Sequence, residues 1–170
     1  MNEINIHNVQ VEDNVITYEY ELSGEWQCAF KNASSMKIEY DTSLNDLPEG
    51  VAIIPFLTNI LPIAWIYDAR IRVPVCDLDF YNSIDNFKKG FSDMHPMLDF
   101  KGEVCAKELQ DNSSQELSGS ALFFSGGVDA HSSLINHIDE KPLLITIWGA
   151  DVSLQNKEGW EHIKNHIIST

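Results

Sequence analysis

The sequence predicts an α/β protein in which a β-rich N-terminal region precedes parallel βα units. Three observations carry this expectation. In VITYEYEL, Ile16, Tyr18, Tyr20 and Leu22 alternate with Val15, Thr17, Glu19 and Glu21, the period of two of a half-buried strand. Between 121 and 168, continuous apolar runs alternate with helical patterns, which implies parallel strands covered on both faces. The intervening QDNSSQELSGS, 110–120, is polar and serine-rich, the composition of an exposed linker. The expected division is a β-rich α+β region at 1–110, a linker at 111–120, and a second region at 121–170.

A chain of 170 residues, 44% of them hydrophobic, is long enough for a substantial core. No apolar run reaches the roughly 18 residues of a membrane span. The leader MNEINIHNVQ lacks the charged-then-apolar layout of a signal peptide. Cys28, Cys76 and Cys105 are odd in number, far apart and free of any C-x-x-C spacing, so they read as small buried apolar residues in a reducing, cytoplasmic setting. Sequons at Asn32 and Asn112 carry no weight without a secretion route. Eleven basic against 26 acidic residues give a net charge of −15. Such a surface repels phosphate backbones, and the densest basic stretch is the pair Lys88-Lys89, so a nucleic-acid partner is not expected. A homo-oligomer stays open.

The elements follow in order. The first fifty residues read as an antiparallel meander: 4–11, 15–22, EWQCAF and MKIEY, separated by turn signals at 12–14, 23–24 and 32–35. LPEG reads as a loop and 51–54 as a short apolar strand. Pro55 suits the first turn of a helix over 56–67, which Pro62 is expected to kink or break. RIRVPVCDL reads as a strand interrupted by Pro74. Phe80, Ile84, Phe87 and Phe91 are spaced for a helix over 79–94, and FKGEVCAKEL reads as a strand. Then come β, α, β and α at 121–124, 129–138, 143–148 and 156–168.

The chemistry concentrates in LFFSGGVDAHSS. A buried strand runs straight into Ser125-Gly126-Gly127 and then into a helix. A helix N-terminus has unpaired N–H groups and carries about half a positive charge. Glycines let an anion approach the backbone, and the Ser125 hydroxyl adds a donor. Together they form a cradle suited to phosphate or pyrophosphate. Asp129 beside such an anion calls for a bridging cation such as Mg²⁺, or else caps the helix. The bland alternative is a tight strand-to-helix turn whose glycines serve geometry alone. No Walker A motif, dinucleotide fingerprint or G-x-S-x-G elbow is present.

FFSGGVDA resembles the signature of the PP-loop (N-type) ATP pyrophosphatases, strand then S-G-G-x-D-S then helix. The resemblance implies a Rossmann-like, doubly wound sheet that binds ATP with Mg²⁺. It further implies cleavage between the α and β phosphates to adenylate an acceptor, here an unknown small molecule. Carried across, the nucleotide-binding set is Ser125, Gly126, Gly127, Val128, Asp129, Ala130 and His131, with Asp129 also the catalytic and metal-holding residue. Ala130 departs from the pattern, which has a second serine there, so turnover is in question more than binding; a nucleotide-binding or regulatory module is the alternative. LLITIWGAD ends near the same place, because ligands of open α/β sheets gather beyond the carboxyl ends of strands. By analogy Ile147 and Trp148 line the base pocket; the alternative is that Trp148 is core and Asp151 caps a turn. The likeness spans about two βα units, where the family domain uses about five strands. The expectation is a piece of a longer protein; the alternative is completion by strands from the first 110 residues.

Other clusters read more plainly. His162 and His166, four apart with Glu161 beside them, have metal-ligand spacing but lie opposite Trp160, Ile163 and Ile167, and read as a solvated face. His131 is either packed against Leu134 and Ile138 or a phosphate contact. Asp77 and Asp79 read as helix caps, and Asp68, Arg70 and Arg72 as a paired surface ladder.

Overall fold

A computed structural model describes residues 2–30, 33–114, 119–149 and 152–169, with only the backbone of Cys28 and Ala29. The chain is mixed α/β and divides into two compact units, Met1–Gln115 and Glu116–Thr170.

In the first unit, β1 (Asn2–Glu12) and β2 (Val15–Ser23) form an antiparallel hairpin whose tight turn puts Asp13 at φ +52°. The period of two holds: Ile16, Tyr18 and Tyr20 are buried while Glu19 and Glu21 are exposed. A bulge between Ile6 and Asn8 re-phases β1, so Ile4 and Ile6 before it and Val9 and Val11 after it face the same core. EWQCAF is a 3₁₀ helix, Glu25–Phe30, not a strand. Its Trp26 is fully buried and donates from Nε1 to the Ser23 carbonyl at 3.0 Å, an anchor that a solvent-edge strand does not offer. β3 (Ser35–Glu39) then pairs antiparallel with β2.

Leu47 and Pro48 form the expected loop, but 49–50 and the strand expected at 51–54 are instead helical. α1 (Glu49–Ala52) leads through Ile53 into α2 (Ile54–Ile66), with Pro55 in the opening turn as anticipated. Four apolar residues have no period that separates strand from helix, and here burial decides. α2 runs through Pro62 without ending. A proline inside a helix costs about 3 kcal/mol, and here the burial of Phe56, Leu57, Ile60, Leu61, Ala64 and Trp65 offsets it. Tyr18 donates its buried hydroxyl to the Ala52 carbonyl at 2.8 Å, fixing α1 to the sheet; burial, with Tyr40 nearby, raises its pKa.

β4 (Ala69–Asp77), α3 (Leu78–Met94) and β5 (Glu103–Gln110) make a parallel crossover unit. β1 also runs parallel to β4, giving the order β3-β2-β1-β4-β5. The three helices share one core with Ile4, Ile16, Tyr18, Ile71, Val73 and Val104. The other face of the sheet is polar: Arg70 pairs with Glu103 at 2.5 Å and Arg72 with Glu3, the expected ladder. Asp77 caps α3, accepting from the Phe80 amide at 2.9 Å, and Asn112 Nδ2 donates to its other oxygen.

In the second unit, β6 (Ala121–Phe123) and β7 (Leu143–Ile145) form a parallel two-stranded sheet in register Ala121↔Leu143. α4 (Val128–Asn136) connects them and α5 (Lys157–Ile168) follows. The five strands of the first unit form their own sheet and do not complete this pair among the described residues. Phe124, 2% exposed, is the unit's one fully buried hydrophobic side chain among those described. Phe123, Leu143 and Ile147 are 70%, 68% and 60% exposed. No helix among the described residues is long and apolar enough to cross a membrane.

Candidate functional site

The strand, turn and helix read from LFFSGGVDA form as a continuous unit. β6 ends at Phe123, Phe124 is plugged beneath it, Gly126 adopts φ +78°, and α4 begins at Val128. The N-cap of α4 is Gly127, in extended conformation and without a side-chain cap. Asp129 is therefore not the cap; it stands in the first turn, exposed, where its charge complements the helix dipole. The amides of Val128, Asp129 and Ala130 donate to no described residue. Ser125 Oγ accepts a long bond, 3.4 Å, from the Gly127 amide, and its own proton is uncommitted among the described residues. The turn thus offers three amides and a hydroxyl to a ligand that accepts hydrogen bonds.

The two glycines differ. A Cβ placed on Gly127 would meet only Ser125 Oγ, at 3.5 Å. One on Gly126 would meet His166 Cδ2 at 3.4 Å and Ile167 Cγ1 at 3.6 Å. Close approach at Gly126 is therefore used by α5, and the side open to a ligand is Gly127 and the helix start. His162 and His166 are both exposed, as expected of a solvated face, and the ring of His166 also lies near Gly126. His131 supports the same turn from α4. The Gly127 carbonyl accepts from the His131 amide at 3.0 Å and from its Nδ1 at 2.9 Å, so Nδ1 carries the proton. The ring meets Phe124 edge-on, with centroids 5.0 Å apart. His131 is a packed histidine that holds the turn's shape.

The carboxyl ends of β6 and β7 are tied together by a residue the sequence did not single out. Thr146 Oγ1 donates to the Phe124 carbonyl at 2.7 Å. β-branching and position give no sequence signal for this bond, since its partner lies on another strand. Beyond it, Ile147 is exposed and Trp148 half-buried. Trp148 stacks on Trp160 of α5, centroids 5.2 Å apart and planes 2° from parallel, and its Nε1 donates to the Ser153 carbonyl at 3.3 Å. Gly126, Gly127, Trp148, Trp160 and His166 are thereby gathered around one end of the two strands. Ala150 and Asp151, part of the second strand-end motif, lie outside the described residues.

The remaining candidates are structural. Among the described residues no group of three or more His, Cys, Asp or Glu side chains could hold a metal by itself. A Mg²⁺ at Asp129 would be of the kind that takes one carboxylate and completes its shell with phosphate and water. Cys76 is fully buried, and burial, aided by the Asp77 carboxylate, pushes its thiol up to about 11, which makes it unreactive near neutrality. Cys105 is half-buried on β5, and both are free thiols. Comparison with protein families, with curated proteins and with solved structures finds no match.

Proposed function

We propose that the second unit is part of a Rossmann-like, doubly wound PP-loop domain that binds ATP with Mg²⁺. The observation that carries this reading is the Ser125-Gly126-Gly127 turn at the end of β6, with the amides of Val128, Asp129 and Ala130 uncommitted beside an exposed Ser125 hydroxyl. In this reading those groups bind the phosphates and Asp129 would hold the metal. His131 keeps the turn in shape, and Ile147 and Trp148 lie toward the base. Mg²⁺ supplies charge neutralisation of the phosphates when bound. The reaction is cleavage between the α and β phosphates, leaving pyrophosphate and an adenylated small-molecule acceptor. Free thiols at Cys76 and Cys105 and the acidic composition suit a cytoplasmic protein with no nucleic-acid partner.

A second reading is favoured by one residue. Ala130 places a methyl group where the family signature has a second hydroxyl, which supports a module that binds nucleotide without turning it over. Product analysis separates the two: pyrophosphate released from ATP supports the enzyme, and binding alone supports the module. In either case millimolar Mg-ATP is expected to raise the melting temperature. Ser125→Ala should weaken Mg-ATP by roughly five- to tenfold, the loss of about 1–1.5 kcal/mol from one hydrogen bond. Asp129→Asn should make ATP affinity insensitive to Mg²⁺. Calorimetry that detects no heat from Mg-ATP at millimolar concentration ends the proposal in both forms.

A further inference from the structure

β5 ends the five-stranded sheet of the first unit, and among the described residues its backbone makes no backbone bond beyond its pairing with β4. We propose that this edge is a self-recognition surface. Two copies of the chain pair β5 with β5, antiparallel, about a two-fold axis through Cys105, and so join their sheets into one. The inference is independent of the nucleotide reading.

Four observations support it. First, the edge is fit to pair. β5 is eight residues long, contains no proline and keeps one register with β4 from Glu103 to Gln110. Short length, proline and bulges are devices that blunt an exposed edge, and β5 has none of them. Charge is a further such device, and here the charges favour self-pairing. Second, symmetry restricts the register. Only a two-fold normal to the sheet makes two identical edges antiparallel, and it keeps both helix-bearing faces on the same side. Glu103, Cys105 and Lys107, which alternate with the core residue Val104, must then oppose one another on the open face. With Cys105 on the axis, Glu103 faces Lys107 of the second copy, and the reverse pair repeats it. An axis at Val104 would set Lys107 against Lys101, and one at Ala106 would set Glu103 against Leu109 and Cys105 against Lys107. Opposite charges directly across a strand pair stabilise it, and like charges weaken it. Third, both charges are available. Lys107 is exposed and makes no ion pair among the described residues. Glu103 meets Arg70 through Oε1, at 2.5 Å, and its Oε2 is left for a second cation. Fourth, the helix-bearing face matches. Val104 is buried and Ala106 packs half-buried against the same core. Across the axis Val104 faces Ala106 of the second copy, so the apolar row continues, and Glu108 faces Gly102, which has no side chain to oppose it. A charge of −15 per chain repels a second copy from most directions. An edge with reciprocal opposite charges is where its approach costs least.

The test is sedimentation equilibrium of the full chain, with circular dichroism to show that each variant is folded. Wild type is expected to form a dimer that dissociates on dilution. Lys107→Glu sets glutamate against glutamate at both ends of the pairing and should weaken the dimer by about tenfold or more. Glu103→Lys should do the same with lysines. An equimolar mixture of these two variants restores both opposite-charge pairs and should dimerise as wild type does, although neither variant does so alone. A bismaleimide with a two-carbon spacer should link Cys105 to Cys105 in wild type, identified by the mass of the joined peptides, and not in Lys107→Glu at the same concentration. If Glu103→Lys does not fold, Lys107→Glu and the cross-link decide. Wild type that stays monomeric up to millimolar concentration overturns the proposal. A dimer that Lys107→Glu leaves intact overturns it as well, as does a mixture of folded variants that stays monomeric. Leu143→Lys is the control and should leave the dimer unchanged; loss of the dimer there, but not in Lys107→Glu, would assign the contact to β7 instead.

Discussion

Replacing Trp65 by alanine is expected to destabilise the first unit by about 3–5 kcal/mol, the cost of deleting a large buried aromatic. Trp65 is 1% exposed and lies at the centre of an aromatic cluster. Phe87 and Phe91 of α3 meet it edge-on at 5.5 and 5.9 Å, Phe100 extends the cluster beyond Phe91, and Lys88 Nζ lies 5.9 Å from its ring centre. The same residue's carbonyl accepts the Lys101 amide at 2.9 Å, where the chain turns into β5. The side chain thus joins α2 to α3, and its loss opens a cavity between two helices that the sheet alone cannot close. Urea denaturation followed through the remaining buried Trp26 measures the change. A shift below about 1 kcal/mol would show that the aromatic cluster is not what holds α2 and α3 together.

Gly102→Ala should be nearly as damaging, for a different reason. Gly102 adopts φ +68°, which costs a residue with a Cβ about 1–2 kcal/mol. The added Cβ would also lie 2.6 Å from the Ala69 carbonyl oxygen and 3.0 Å from that of Ala64, both backbone atoms. Neither can swing aside as a side-chain tip can, because Ala69 opens β4 and Ala64 belongs to α2. The expected total is about 2–5 kcal/mol. Gly90→Ala is the matched control with the opposite sign. Gly90 lies inside α3 with nothing within 4 Å of a new Cβ, so alanine should stabilise by about 0.5–1 kcal/mol. Melting both variants beside wild type gives the comparison; equal destabilisation by the two would refute the argument from local geometry.

Much of the architecture was legible where a period or a cap existed. VITYEYEL announces β2 by alternation, Asp77 announces α3 by capping, and the strand, turn and helix around Ser125 follow from an apolar run meeting two glycines. Where neither signal exists, tertiary burial decides. EWQCAF coils because Trp26 is drawn under β1 and β2, and 51–54 turns helical because Ala52 and Ile53 are buried in the same core as the inward face of α2. The parallel pairing of Asn2 with Ala69 joins segments far apart in the chain, and no local pattern encodes it. At the candidate site the motif residues were readable but their supports were not. Thr146 and Trp160 act through partners on other elements, and His166, exposed as the helical wheel has it, also lies near Gly126, which no local pattern shows.

The uncovered leucines and isoleucine of β7 have a colloidal consequence. Leu143, Leu144 and Ile145 are 68%, 38% and 36% exposed on a strand with one neighbour among the described residues, a geometry prone to stick to another copy. Mutual repulsion at −15 charges per chain opposes that contact, and dissolved electrolyte shortens the reach of the repulsion to about 10 Å at 0.1 M. Light scattering should therefore rise as sodium chloride is added, the reverse of ordinary salting-in, and Leu143→Lys should suppress the rise.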